Sequence, residues 1–364
     1  LRGGDEKGRE NGMKKILQDM YLSELTEEIL SLGEKKFRAA QIYAGLLAGK
    51  TIEDLPAVPK ALKERLLEEY ENAAVCVEEV YYSSDGTEKY LFRLSDGNLI
   101  EGVLMKYKYG YTQCVSTQAG CRMGCKFCAS TLNGLIRNLT AGEILSQILL
   151  VNSLHKNDPD LAGEGKEKRA VTNVVLMGSG EPLDNYDNVV KFLRLVTQKD
   201  GLNISARNIS LSTCGLVPKM YALAEEGIPL NLTVSLHATD DEERKKIMPV
   251  ANAYKIADIL KACANYFEKT GRRYYFEYTL IDGENCDEAH ANALIALLKG
   301  KPCHVNLIRL NEVKERTLKA AGDKNAYRFM GILQKHGVSA TLRRQIGSDI
   351  GGACGQLRAA YVEE

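Results

Sequence analysis

Three cysteines fall close together in Cys121-Arg-Met-Gly-Cys125-Lys-Phe-Cys128, inside the longer run GCRMGCKFCAS. Thiolates at such spacing hold soft metal centres. A tetrahedral structural zinc needs a fourth ligand, usually from a second CxxC or an HxxxH downstream. No paired knuckle follows: the remaining cysteines are scattered singly, and His155 and His237 stand alone. Zinc or a disulfide is therefore the minor reading of this spacing. Three cysteines on a four-iron, four-sulfur cube would instead leave one iron without a protein ligand, able to bind a substrate directly.

Further candidates stand where strands should end. Met-Gly-Ser-Gly-Glu-Pro, residues 177–182, closes the first strand after the cysteine loop. Its glycines let backbone approach a ligand closely, with carbonyls and amides free to grip an ammonium or carboxylate. On its own such a segment reads equally well as a plain β-turn. Ser212 in LSTCG, Ser235-Leu236-His237 in TVSLHA and Asn311 in HVNLIRLN occupy similar positions. Taken singly, each reads as a satisfied core polar group. Two lone cysteines matter more. Cys114 precedes the cysteine loop, and Cys354 lies in GGACGQL, a glycine-flanked context suited to reaching into a site. Cys76, Cys214, Cys263, Cys286 and Cys303 sit in apolar or strand contexts and read as small core residues.

These residues need a scaffold, and 364 residues suffice for a large core plus an accessory domain. With 48 basic against 48 acidic residues, no global field advertises a polyanionic partner, so any nucleic-acid surface is local. The ten cysteines are unevenly spaced, with no signal-peptide core and no membrane-length apolar run. That combination points to a reducing cytosol. The polar leader LRGGDEKGRENG reads as a frayed tail, with Met13 a candidate start. Residues 1–73 read as a small helical domain, with Phe37, Ile42, Tyr43 and Leu46 in one apolar stripe and Leu62, Leu66 and Leu67 in another. Pro56 and Pro59 break the run between them. Lys35, Lys36 and Arg38 form a short charge run, more simply a solvated face than a binding patch.

Over residues 74–113 the period shifts to two, and two Ser-Asp-Gly turns divide a meander of short strands that links the domains. From residue 114 to 346, apolar strands (VTNVVLMG, ISLSTC, PLNLTVSLHA, YYFEYTLI, CHVNLIRL, SATLRR) alternate with helical stretches such as AGEILSQILLVNSL and IADILKACANYFEKTG. Such alternation argues a parallel α/β barrel or open sheet, whose chemistry sits at the C-terminal ends of its strands. The tail, 347–364, returns to glycine-rich loop.

CxxxCxxC with Phe127 before the last cysteine resembles the signature of radical S-adenosylmethionine (SAM) enzymes. The fuller set, GCRMGCKFCAS, VVLMGSGEPLDNYDNV, ISLSTCGLVP, VSLHA, HVNLIRLN and SDIGGACGQL, closely resembles the RlmN family over nearly the whole chain. That resemblance implies a partial barrel of six βα units, an α/β fold, with an N-terminal helical RNA-binding domain. It implies a [4Fe-4S] cluster on Cys121, Cys125 and Cys128, and SAM held by Gly180, Glu181, Ser212, Ser235, Leu236, His237 and Asn311. Two SAM molecules are implied per turnover. The activity it implies is methylation of adenine C2 in 23S rRNA and in tRNA, with Cys354 carrying the methyl, Cys114 as its disulfide partner and Glu101 as acid/base. An electron donor such as flavodoxin or ferredoxin is implied, no membrane is, and a monomer is expected. The chain departs from the family pattern at Arg309 and at Asn311-Glu312, where proline is common. Between Lys314 and Arg344 lie eight Lys/Arg against two Asp/Glu, an excess that suits phosphate contacts or an ordinary solvated helix. Two rivals remain: a related Cfr-type enzyme methylating adenine C8, to which MKYKYG and Arg309 lean, and a non-catalytic iron–sulfur or zinc RNA-binding module.

Overall fold

The computed structural model describes residues 14–107, 110–158 and 169–358. The polar leader and the last six residues of the tail lie outside that range. Three helices open the chain: α1 (Leu22–Ser31), α2 (Phe37–Leu47) and α3 (Lys60–Glu69). The Glu24 carboxylate caps α1 by accepting the Tyr21 N–H at 2.8 Å. Leu25, Ile29, Ile42, Leu46, Leu62, Leu66 and Tyr70 close a core of their own. Phe37 departs from the expected stripe. It is 51% exposed at the first turn of α2, its ring under the Arg38 guanidinium at 4.8 Å.

The expected meander forms as β1 (Val75–Tyr82), β2 (Glu88–Leu94) and β3 (Leu99–Tyr107), paired antiparallel. It is no free-standing linker sheet. β4 (Gly110–Cys114) pairs antiparallel with β3 and parallel with β7 (Val171–Leu176), so one sheet runs from the meander into the barrel. The sheet continues in parallel through β8 (Ile209–Thr213), β9 (Asn231–Ser235), β10 (Tyr274–Leu280), β11 (Cys303–Arg309) and β12 (Ala340–Leu342). β1 and β12 are its two ends, so the barrel is open.

The crossovers are α4 (Ala141–Leu154), α5 (Tyr186–Thr197), α6 (Val217–Glu225), α8 (Ile256–Thr270), α9 (Glu288–Leu298) and α10 (Asp323–Lys335), with α7 (Asp241–Ile247) inserted before α8. Six βα units thus lead to a terminal seventh parallel strand. Alternate residues of the central strands are fully buried, among them Val174, Leu211, Leu232, Phe276 and Leu307, as expected of a sheet covered by helices. Thr140 and Glu143 cap α4 reciprocally, Glu143 N–H to Thr140 Oγ1 at 3.2 Å and Thr140 N–H to Glu143 Oε2 at 2.9 Å. Beside that cap the Gly142 N–H donates to Asp19, which docks the helical domain on the barrel. A Cβ at Gly142 would lie 2.7 Å from the Asp19 nitrogen, so the close approach requires glycine.

A two-stranded hairpin, β5 (Gln118–Gly120) with β6 (Leu135–Asn138), projects between β4 and α4 and carries the three-cysteine loop. Among the described residues no helix is long and apolar enough to cross a membrane.

Candidate active site

The loop on this hairpin is tied at both ends and in the middle. Cys121 N–H donates to Gly134 O at 2.9 Å, Lys126 N–H to Ile247 O at 2.9 Å, and Thr131 Oγ1–H to the carbonyls of Cys125 and Cys128 at 3.1 and 3.0 Å. All three cysteines line one cleft of about 880 Å³ over the C-terminal ends of the barrel strands. They stand together on one wall of it, close enough that the charge of Cys128 bears on both Cys121 and Cys125. Burial pushes the Cys121 thiol up to about 12 and raises those of Cys125 and Cys128 as well. Buried thiols become ligands when a bound cationic centre takes the place of their protons. Three neighbouring thiols from one loop fit an iron–sulfur cube that keeps one iron open, whereas a structural tetrahedral ion takes four protein ligands.

The facing wall comes from the strand ends. Gly180 has φ +107°, and a Cβ there would stand 2.6 Å from Gln118 Cβ, so glycine is required. The turn it makes aims Glu181 inward. The buried Glu181 carboxylate accepts N–H bonds from Leu183 at 3.0 Å and Cys214 at 2.7 Å. Burial raises its pKa while those two donors oppose the shift. Ser212, Ser235, His237 and Asn311 line the same cleft. His237 adopts φ +58°, an uncommon conformation for a non-glycine residue. Its Nδ1 accepts the Thr279 N–H at 3.0 Å, which leaves the ring proton on Nε2. Burial, helped by Arg244, lowers its pKa to about 3, so the ring is neutral at physiological pH.

Leu236 stands between Ser235 and His237, which line the cleft. Its side chain is fully buried in the barrel core and does not line the cleft. Its backbone is engaged too, N–H to Glu277 O at 3.0 Å and carbonyl to Arg244 Nε at 3.1 Å.

The tail brings Cys354 onto this cleft across the whole length of the chain. Asn311 Nδ2–H donates to Cys354 O at 3.0 Å, Ala129 N–H to Gly355 O at 2.7 Å, and Ser130 Oγ–H to Leu357 O at 2.6 Å. Both lone cysteines are free thiols, Cys354 exposed and Cys114 buried with Val103 and Leu357. Burial pushes the Cys114 thiol pKa up, and the charge of nearby Cys354 adds to that. Glu101 stands apart from the cleft. It lies behind the tail, paired with Lys89 at 3.1 Å and accepting the Arg358 N–H at 2.6 Å.

Three residues of the site were not anticipated in their roles. Glu277, held by Arg343 at 2.9 Å, lines the cleft, and its only sequence signal is a lone charge in YYFEYTLI. The fully buried Arg244 donates to the carbonyls of Cys214 at 2.6 Å, Ser235 at 3.0 Å and Leu236, clamping two strand ends together. Cys214 is buried as expected, in a small apolar cluster with Ile247, Met248 and Ile281, and also borders the cleft. Cys76, also expected in the core, is exposed on β1.

An open parallel barrel with three cysteines in one loop above its strand ends, facing a GxGEP turn, defines a radical SAM protein. Residues 115–294 match the family model described as Radical SAM superfamily. A protein named "Probable dual-specificity RNA methyltransferase RlmN" from Lachnoclostridium phytofermentans is 52% identical over 351 residues, 96% of this chain and 95% of that one. A protein of the same name from Clostridium botulinum is 52% identical over 96% of this chain and 98% of its own. The crystal structure of a radical SAM methyltransferase from Sphaerobacter thermophilus superposes with a TM-score of 0.89 at 39% identity, covering 96% of this chain and all of that one. The chain belongs to the RlmN family.

Proposed function

We propose that this chain methylates C2 of adenine in 23S rRNA and in tRNA, as a dual-specificity enzyme. The observation that carries the reading is the meeting of Cys354 with the three-cysteine wall in one cleft, with Cys114 close behind it. C2 of adenine lies between two ring nitrogens and is electron-poor, so it cannot attack a sulfonium methyl directly. A protein sulfur must carry the methyl first, and sulfur is a strong nucleophile. Cys121, Cys125 and Cys128 would hold a [4Fe-4S] cluster, which with SAM supplies radical hydrogen abstraction when bound.

The chain's own residues have the remaining tasks. Glu181 and the Gly180 backbone receive the ammonium of SAM. Ser212, the segment Ser235-Leu236-His237 with its neutral imidazole, and Asn311 bond its ribose and adenine. Cys354 accepts the methyl and, after that methyl has lost one hydrogen atom, joins the base through its carbon; Glu101 takes the C2 proton as the adduct gives up one electron; the Cys114 thiolate then displaces the Cys354 sulfur, forming a disulfide, and the released carbon takes a proton to become the product methyl. For Glu101 to act, the tail that covers it must shift. Two SAM molecules serve each turnover, and a flavodoxin or ferredoxin supplies the electron in the cytoplasm. The division into a helical RNA-binding domain (1–73), a β segment (74–113), a barrel (114–346) and a tail (347–364) belongs to the same reading.

The test is nucleoside analysis of rRNA and tRNA from cells with and without this protein. 2-Methyladenosine should disappear with the gene. Loss of 8-methyladenosine instead would establish the Cfr-type reaction, and no change in either would leave a non-catalytic module.

A further inference from the structure

Between β11 and α10 the chain runs as a strap, residues 310–322, that touches both the tail and the three-cysteine loop. On the tail side Asn311 Nδ2–H donates to Cys354 O, Gln356 Nε2–H donates to Glu312 O at 3.2 Å, and Glu315 pairs with Arg358. On the loop side the next residue, Arg316, donates from Nη2 to Thr131 Oγ1 at 3.0 Å and reaches Cys128 O at 3.5 Å. Leu318 packs into the apolar cluster that also holds Cys125 and Met248. The strap keeps its shape through its own bonds, Arg316 N–H to Val313 O at 2.9 Å and Lys319 to Glu312 at 2.9 Å. Arg316 is half-buried and does not line the cleft. Its Nη2 is bonded to a hydroxyl and a carbonyl, neither of them charged, and its buried Nε has no partner among the described residues.

A guanidinium bonded to neutral groups sets a fixed positive charge against the cysteine loop, where partial burial weakens its screening. Burial raises the Cys128 thiol, and Ser130 and the charge of Arg316 oppose that shift, so the guanidinium bears on this sulfur. Reduction of a [4Fe-4S] cluster adds one electron and one negative charge, with no bond made and no proton taken up. A nearby cation favours the more negative state and so raises the reduction potential. We propose that Arg316 is a positioning residue for electron entry: its charge eases reduction of a cluster on Cys121, Cys125 and Cys128, and the adjoining Glu315–Arg358 pair holds it there while the tail is docked. The inference rests on the proposed cluster and adds to it a link between the methyl-carrying tail and the electron step. Glu315 and Arg316 are consecutive, so a tail that leaves Glu315 loosens the strap that aims Arg316. Electron entry is then favoured when Cys354 is in place, and unproductive opening of SAM with no methyl in reach is suppressed.

The test is an anaerobic potentiometric titration of the full-length, cluster-loaded protein, without SAM or RNA. Titanium(III) citrate gives up one electron per cluster and becomes titanium(IV), and bleaching of the visible absorption reports the reduced fraction. Arg316→Gln keeps a donor for Thr131 and removes the charge. It should shift the one-electron equilibrium about tenfold towards the oxidised cluster, ~59 mV. Arg316→Lys should recover most of that shift. Arg358→Met, which removes the side chain paired with Glu315, should give about a threefold shift in the same direction by loosening the strap. Iron and sulfide content, about four of each per chain, checks loading in every variant. An Arg316→Gln protein at the wild-type potential would show that the hydrogen bond matters and the charge does not, which overturns the proposal. An Arg358→Met protein at the wild-type potential removes the link to the tail. Should Arg316→Gln fail to hold its irons, Arg358→Met decides, and its wild-type potential would overturn the proposal outright. A wild-type protein that binds no cluster refutes the cluster assignment instead, and iron analysis tells the two failures apart.

Discussion

The pair Lys89–Glu101 offers the sharpest physical test of how the tail is held. Both side chains are almost wholly buried, 4% and 2% exposed, with nitrogen and oxygen 3.1 Å apart. The second carboxylate oxygen of Glu101 accepts the Arg358 N–H at 2.6 Å, and the Lys89 ammonium lies 4.7 Å from the Tyr81 ring centroid. Lys89→Met fills similar volume and leaves the Glu101 charge in the interior without its cation. Breaking a buried pair from one side costs about 3–5 kcal/mol, whereas removing an exposed pair costs about 0–1 kcal/mol. Lys60–Glu64, with side chains 90% and 62% exposed, is the internal control. Chemical denaturation should show Lys89→Met destabilised by the larger amount and Lys60→Met by the smaller. The double change Lys89→Met/Glu101→Gln should recover at least half the loss, because the amide still accepts the Arg358 N–H without burying a charge. Since Glu101 anchors the tail, Lys89→Met should also speed alkylation of Cys354. A loss below about 1 kcal/mol, with no recovery in the double variant, would refute the claim that this pair is a buried lock.

Gly180→Ala forces a Cβ to within 2.6 Å of Gln118 in a left-handed turn; strain of about 1–3 kcal/mol should weaken SAM binding roughly tenfold or more by calorimetry. Cys114→Ala should accumulate a protein–RNA adduct through Cys354 that survives denaturation, and Cys354→Ala should give neither adduct nor product; wild-type turnover by Cys114→Ala would remove the exchange step. His155, bonded to Glu88 at 2.9 Å and Asp158 at 2.8 Å, has its pKa raised above 6.5, against its burial, by those carboxylates. Its contribution is complete below pH 6.5 and is lost as pH rises through the folded value, so His155→Gln should flatten the stability profile on the alkaline side. Glu88 is held down to about 2 despite its burial, chiefly by His155, so its contribution persists above 4.5 and should disappear only as pH falls towards 2.

Elements whose causes are local were legible in the residues. AGEILSQILLVNSL is α4 to the residue, because its cap is written next to it as Thr140 and Glu143. The parallel strands followed from apolar runs between helical ones. What escaped depends on contacts that periodicity does not encode. α7, DEERKKI, has no apolar stripe; the carbonyls waiting for Arg244 at two strand ends anchor it. Phe37 fits a helical stripe by spacing yet faces solvent, because the first turn of α2 points away from the helical core. The site divides along the same line. The three-cysteine loop and the GxGEP turn are contiguous segments, and their chemistry can be read from spacing. Cys354 cannot be placed that way: its neighbours Ala129, Ser130 and Asn311 lie 43 or more residues away, and only the finished barrel brings them together. Glu101 and Cys114, a strand apart in the meander and the barrel, meet the tail through Arg358 and Leu357. The reactive sulfur is therefore positioned by the C-terminal segment through contacts with the cysteine loop, β3 and the end of β11. A tail held mainly by hydrogen bonds, one of them to the buried Glu101, rather than by a core of its own can open locally without unfolding the barrel.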